Sequence, residues 1–214
     1  FIRLLSFLQV FLYEARWLKK FEQVLVMSKQ DQFYAQKIFK LKNTIISPNG
    51  IETIKFLPTK KNRLVTIGFV GSIKHPPNQK AIDYLVNNIF PALQHGVKNC
   101  QLIILGEANQ AYYRLNSNIK FIDHLENLED FYSDIDILVA PIFSGSGTRI
   151  KILESLSFGR PVITTHIGAE GITINSKYLI ILSEENQYKV DFWVSEIIKI
   201  YTQLTSRLEI ELPD

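Results

Sequence analysis

Past residue 64 the chain alternates between almost wholly apolar runs and mixed segments of helical length. The runs fall at 65–70, 101–105, 119–122, 135–140, 161–164 and 179–182. Runs that are apolar at successive positions predict strands covered on both faces. Between most of them lie segments with helical periodicity, at 78–94, 127–133 and 147–158, with a shorter one near 109–115 and a last one near 189–206. Strand–helix alternation of this kind predicts an α/β doubly wound parallel sheet. Ligands of such sheets sit beyond the carboxyl ends of the strands, where the strand order reverses. Upstream the pattern is different. Leu4, Leu5, Leu8, Phe11 and Leu12 share helical spacing within a helix over 2–20. A short strand follows at 24–27, and Ser28 reads as the N-cap of a helix over 30–40. A further short strand at 44–47 runs into the turn Pro48-Asn49-Gly50, and Lys60-Lys61-Asn62-Arg63 reads as a linker.

Composition narrows this picture without redirecting it. At 214 residues and 46% hydrophobic content the chain suits one full domain, or one domain plus a piece of another. The net charge of +3 is compatible with an anionic ligand or an anionic membrane surface, and the lack of a dense basic run argues against nucleic acid. The single cysteine, Cys100, reads as a small apolar residue at a strand edge, and one thiol fits a reducing, cytoplasmic setting. The apolar stretch 4–13 is flanked by Arg3, Glu14 and Arg16. It is too short to span a bilayer and precedes no small-residue cleavage site. A chain that opens on Phe1 is expected to be processed or to be a piece of something longer.

Three loops at predicted strand ends carry suggestive residues. In the first, Gly71 and Ser72 can bring backbone N–H groups close to a ligand, and Asn78 is expected to cap the next helix; the alternative is a plain βα turn. In the second, Gly145 and Gly147 permit close approach. Thr148 and Arg149 are placed in the first helical turn, whose free N–H groups and dipole favour an anion. Arg149 can add a bidentate contact to phosphate oxygens, and Lys151 a point charge. Lys151 and Glu154, three apart, equally suit an ordinary surface ion pair. The third loop, His166-Ile167-Gly168-Ala169-Glu170-Gly171, offers two polar side chains that could touch a ligand or simply be solvated. Other chemistries find little support. His75, His95, His124 and His166 lack metal-ligand spacing, and no Gly-x-Ser-x-Gly elbow occurs. Asp134 and Asp136 approach an acidic pair, but they enter a strand from its amino end, the wrong side for the site.

Together these stretches resemble the donor-binding C-terminal lobe of the GT-B glycosyltransferases, in particular the retaining family 4, glycosyltransferase group 1. The resemblance is carried by Ile45-Ile46-Ser47-Pro48-Asn49-Gly50-Ile51, Phe69-Val70-Gly71-Ser72, residues 102–106, Phe121-Ile122-Asp123-His124, residues 136–141 and, at greatest length, residues 145–171. It covers nearly the whole chain from residue 21 onward. It implies a Rossmann-like lobe at 51–214 preceded, at 1–50, by a remnant of the acceptor-side lobe and the interlobe linker. It also implies a sugar transferase of polysaccharide biosynthesis that takes a nucleotide-diphosphate sugar as substrate, with no cofactor and no metal, and an unknown glycan, lipid or protein as acceptor. By the same resemblance Glu154 would bind the ribose hydroxyls, while the strand end Ile122, Asp123 and His124 would flank the base. Gly71, Ser72, Gly145, Ser146, Gly147, Thr148, Arg149 and Lys151 would surround the diphosphate and sugar. No catalytic residue is assigned. Ser146 stands where the family usually carries a first glutamate, eight positions before Glu154. Neither Lys74 nor Lys80 falls cleanly on the family's basic pair after the first loop. A non-catalytic nucleotide-sugar-binding or assembly module is the alternative reading, and an epimerase of similar two-lobed architecture a more distant one.

Overall fold

Helix α1 (Ile2–Trp17) and the 3₁₀ turn Leu18–Lys20 open the chain, close to the predicted 2–20. The computed structural model describes residues 2–51, 64–107 and 116–210, which fall into two units, Phe1–Gly50 and Ile51–Asp214. In the first unit, β1 (Val24–Val26) and β2 (Thr44–Ile46) pair in parallel on either side of α2 (Lys29–Ile38). Ser28 caps α2. Its Oγ accepts from the Asp31 N–H at 3.0 Å and donates to Asp31 Oδ2 at 2.7 Å, a cap of the kind that contributes about 1 kcal/mol. Val26, Ala35 and Leu41 form the small core of this unit. Leu25 and Ile45 alternate away from it and are exposed, as are Leu4, Phe7 and Leu12 of α1. Among the described residues no helix is long and apolar enough to cross a membrane.

The second unit is built on β3 (Val65–Val70), β4 (Cys100–Leu105), β5 (Ile119–Ile122), β6 (Ile137–Ala140), β7 (Val162–Thr165) and β8 (Leu179–Leu182). All six are parallel, in the order β5-β4-β3-β6-β7-β8. One face carries Ile67, Phe69, Leu102, Ile104, Val139 and Ile163, packed with Ile82, Leu85 and Trp193. The other face carries Ile103, Leu105, Leu138 and Val162, packed with Phe131, Tyr132, Ile152 and Phe158. Each such fully buried large apolar side chain contributes roughly 1.5–3 kcal/mol, which is why runs apolar at successive positions favour the centre of a two-faced sheet. Cys100, the first residue of β4, is buried in the same core.

Three expectations are corrected. The helix predicted over 78–94 is three pieces: α3 (Pro76–Tyr84), a π-helical turn Leu85–Ile89, and α4 (Phe90–Gly96). Pro91 lacks the N–H that would return to the Asn87 carbonyl, and its ring crowds that carbonyl, so the wider π turn accommodates it. Asn78 is not the cap of α3. That helix starts at Pro76, with His75 in the cap position and prolines at the head of the helix, where a missing N–H costs nothing. The helix predicted over 147–158 begins only at Ile150, so Thr148 and Arg149 precede it. Arg149 has φ −86° and ψ 92°, and Gly145 and Gly147 have φ of 106° and 85°, which holds this segment out of the helix. The remaining helices are α5 (Leu128–Asp134), α6 (Ile150–Ser157) and α7 (Val190–Ile210). The helix expected near 109–115 and the linker Lys60–Arg63 lie outside the described residues.

Asp136 serves the sheet, at the end remote from the strand tips. Its N–H donates to the Thr66 carbonyl and its Oδ2 accepts from the Thr66 N–H, both at 2.8 Å, tying the start of β6 to β3. Burial pushes its carboxyl up to about 6, partly offset by the Thr66 bond and the Arg160 guanidinium. Arg160 is itself buried and donates through Nε to the Tyr132 carbonyl at 2.6 Å.

Candidate functional site

From β3 the chain moves to one side, through β4 to β5, and then returns to the other side of β3 to lay down β6. The loops leaving β3 and β6 therefore diverge, and the crevice between them is the switch point of the sheet. Two adjoining hollows open there. One, of about 510 Å³, is lined by Val70, Gly71, His75, Pro77, Asn78, Ile142, Gly145, Ser146, Thr148, Arg149, Ile150 and Lys151. The other, of about 310 Å³, shares Val70 and Gly71 and adds Ser72, Leu105, Gly106, Asp123, His124, Leu125 and Leu128. A tighter hollow of about 70 Å³ lies at the opposite ends of β7 and β8, beside Pro161 and Tyr178.

The floor between the two hollows is backbone. The Gly71 N–H donates to the Leu105 carbonyl and the Gly106 N–H to the Ile122 carbonyl, each at 2.8 Å. A Cβ on Gly71, at φ 150°, would stand 2.5 Å from Asn78 Nδ2 and 2.8 Å from Lys151 Nζ, so no larger residue fits without moving both.

The glycine turn folds Arg149 back on itself. Its Nη1 donates to the Gly147 carbonyl, while Nη2 is shielded from solvent with no hydrogen-bond partner among the described residues. Thr148 Oγ1 is in the same condition. Buried donors without partners are uncommon and costly. Burial lowers the Arg149 pKa, and Glu170, from the third loop, acts against that shift. Lys151 points inward. Its Nζ donates to Asn78 Oδ1 at 2.9 Å and lies 4.4 Å from the centre of the Phe69 ring. Burial above all, with the Arg149 charge, lowers it to about 8, against the pull of Glu154. The ordinary surface ion pair is therefore not what Lys151 forms.

Gly71, Gly145, Ser146, Thr148, Arg149 and Lys151 thus line the larger hollow, and Gly71, Ser72 and Asp123 the smaller. Gly147 and Glu154 line neither; Glu154 is half-buried on α6, where its Oε2 accepts from the Tyr132 hydroxyl at 3.3 Å. Lys74 turns outward to pair with Glu107, and neither it nor Lys80 reaches a hollow. His166 is exposed outside both. Sequence reasoning missed the supports, Tyr132 and the Asn78 side chain. Tyr132 reads from sequence as one more core aromatic, and it is indeed fully buried, stacked on Phe158 at 4.7 Å between ring centroids. Among the described residues no three His, Cys, Asp or Glu side chains gather as a metal site would require.

A pocket of this form, two cations and a glycine turn at the switch point of a parallel sheet, suits a phosphorylated ligand. Residues 65–202 match the family model described as Glycosyl transferases group 1. The chain belongs to the group 1 glycosyltransferases. Two curated relatives of this chain are the O-antigen biosynthesis glycosyltransferase WclY of Escherichia coli and the lipopolysaccharide core biosynthesis mannosyltransferase LpsB of Rhizobium meliloti (strain 1021). WclY is 28% identical over 69% of this chain and 44% of its own length. LpsB is 28% identical over 70% of this chain and 49% of its own length. The chain thus spans less than half the length of these relatives. Among solved structures, the pneumococcal O-GlcNAc transferase GtfA in complex with UDP and GlcNAc aligns with a TM-score of 0.68 at 16% identity, over 89% of this chain and 40% of that one. At that identity the likeness is one of fold, and the six-stranded parallel sheet matches the Rossmann-like lobe of GT-B enzymes.

Proposed function

We propose that residues 51–214 form the donor lobe of a glycosyltransferase that moves a sugar from a nucleotide-diphosphate sugar to a glycan, lipid or protein acceptor in polysaccharide biosynthesis. The observation that carries this reading is the pair of buried, unpartnered donors, Arg149 Nη2 and Thr148 Oγ1, beside the inward-facing Lys151 in the switch-point hollow. A diphosphate supplies the acceptor oxygens and the negative charge that this cluster lacks. The adjoining hollow at Asp123, His124 and Leu128 then takes the nucleoside. The family resemblance gives Glu154, braced by Tyr132 one turn into α6 and lining neither hollow, the role of acceptor for ribose hydroxyls. Relatives active in O-antigen and lipopolysaccharide core synthesis, and a fold neighbour holding UDP and GlcNAc, support the substrate class.

In this reading the bond between the anomeric carbon and the diphosphate oxygen breaks, the acceptor hydroxyl oxygen bonds to that carbon, and the hydroxyl proton passes to the departing diphosphate. Negative charge grows on the departing diphosphate, where Arg149, Lys151 and the amino end of α6 offset it. Such placement suits transfer without a metal, and the family resemblance implies retention at the anomeric centre. Residues 1–50 would be what this chain carries of the acceptor-side lobe. Its exposed apolar residues, Leu4, Phe7 and Leu12 among them, suit pairing with a further protein surface or contact with a membrane surface, and the protein would be cytoplasmic.

Calorimetric titration with UDP, GDP and ADP tests the reading. One of them is expected to bind saturably, with Glu154→Ala about tenfold weaker. No binding of any nucleotide, or a Glu154→Ala variant indistinguishable from the wild type, would count against it. Ser146, exposed where a glutamate would address the sugar, favours the second reading, a nucleotide-sugar-binding module without turnover. Sugar transfer by the chain to any acceptor would exclude that alternative.

A further inference from the structure

We propose that Asn78 is a positioning residue of the donor site, holding the Lys151 ammonium beside Gly71 so that Lys151 and Arg149 face a single anionic group. This rests on the donor-lobe reading above.

Asn78, in the first turn of α3, and Lys151, in the first turn of α6, are 73 positions apart. Asn78 meets both the loop after β3 and Lys151. Its Nδ2 donates to the Ser72 carbonyl at 3.2 Å and its Oδ1 accepts from Lys151 Nζ at 2.9 Å. The orientation of the amide has one solution, because a carbonyl only accepts and an ammonium only donates. Asn78 therefore ties the loop after β3 to α6, and it presents the oxygen, not the nitrogen, to the lysine.

A lysine turned inward needs such a hold. Its ammonium is a strongly hydrated point charge, and its long stem would otherwise carry it to water. Here one N–H goes to Asn78 and one side of the ammonium rests over the Phe69 ring, a favourable place for a cation. Of its three donors, that leaves capacity turned toward the hollow that Lys151 lines. The charged and titratable groups around it are Arg149 and Glu154 on its own segment, His75 at the head of α3, and Tyr132 of α5, whose hydroxyl reaches the Lys151 carbonyl at 3.3 Å. Arg149 repels the ammonium and Glu154 attracts it. A diphosphate between the two cations would turn that repulsion into a joint attraction. The lowered Lys151 pKa, about 8, means that a bound anion would also hold the proton on.

The experiment follows the Lys151 side chain by NMR in the whole chain carrying labelled lysine, with Lys151→Met identifying its signal. Asn78→Leu keeps the volume, stays dry and removes the acceptor, so the Lys151 midpoint is expected to fall. Asn78→Asp keeps the shape and adds a charge, so the midpoint is expected to rise. Opposite shifts support the proposal; no shift in either variant overturns it. Should Asn78→Leu fail to fold, the nearly isosteric Asn78→Asp decides alone. Calorimetry with UDP, GDP and ADP gives the second readout. Wild-type affinity is expected to weaken from pH 7 to pH 9, and Asn78→Leu to bind about tenfold more weakly at pH 7. An Asn78→Leu variant binding as the wild type does overturns the proposal. Absence of binding by the wild type overturns the donor-lobe reading instead, and the titration of Lys151 still decides the role of Asn78.

Discussion

The Tyr132 hydroxyl lies 3.3 Å from Glu154 Oε2 and 3.3 Å from the Lys151 carbonyl oxygen, so one buried phenol braces the turn of α6 that presents two site residues. Burial, then the Glu154 carboxylate, pushes this phenol far above its ordinary range, and it stays a neutral donor at every working pH. Tyr132→Phe keeps the stack on Phe158 and deletes only the donor. The expected cost is about 1 kcal/mol of stability in a urea titration, with nucleotide affinity reduced several-fold because Glu154 loses its tether. Unchanged affinity would mean that Glu154 is held some other way.

Gly71→Ala asks for space that two site residues already occupy. The added methyl would meet Asn78 and Lys151 at 2.5 Å and 2.8 Å, on a backbone whose φ of 150° side chains avoid. A stability loss of about 1–3 kcal/mol is expected. Nucleotide binding should fall at least about tenfold, because the lysine must leave its place. A variant with both properties intact would show that Lys151 has freedom the structure does not grant it.

Arg149→Lys separates charge from geometry. The guanidinium bonds the Gly147 carbonyl with one nitrogen and leaves another buried without a hydrogen-bond partner among the described residues; an ammonium offers one point charge and cannot hold both directions. Calorimetry should find affinity reduced about tenfold, with the melting temperature nearly unchanged, since the residue lies in a loop. Equal affinity would reduce Arg149 to a general positive charge.

Asp136 makes a prediction about acid. Its carboxyl titrates near 3.8 in the unfolded chain and at about 6 when buried. Between those values the folded protein holds the proton more tightly than the unfolded one. The stabilisation it contributes is therefore complete below pH 3.8 and is lost as pH rises through 6. In urea titrations at pH 4, 5, 6 and 7, the wild type minus Asp136→Asn difference in unfolding free energy should fall up to pH 6 and then level off. A difference that does not change with pH would remove Asp136 from the acid response.

Local reading reached far into the second unit for a simple reason. The runs at 65–70, 119–122 and 179–182 match β3, β5 and β8 residue for residue, because each is mostly apolar, with Thr66, Gly68 and Lys120 the exceptions, and ends abruptly at Gly71, Asp123 or Ser183. The same reading found the cap at Ser28, a contact spanning three residues. It failed where a neighbour far along the chain decides. Asn78 has the chemistry of a cap, and only the packing of α6 against the loop after β3 converts it into a partner for Lys151. Pro91 announces a disturbed helix but not that the disturbance is a π turn.

The sequence alone determined an alternating α/β chain with a glycine turn and two cations after its fourth regular strand, since period, turn chemistry and charge are local properties. The tertiary structure decided which way those cations point. Lys151 and Glu154 are equally compatible with an exposed helical face. Only the strand order, which sets β6 beside β3, brings Lys151 under Gly71 and against Phe69, and sends Glu154 to Tyr132. A strand order is fixed by the burial of whole faces, a sum over residues far apart in the chain, so no local window contains it.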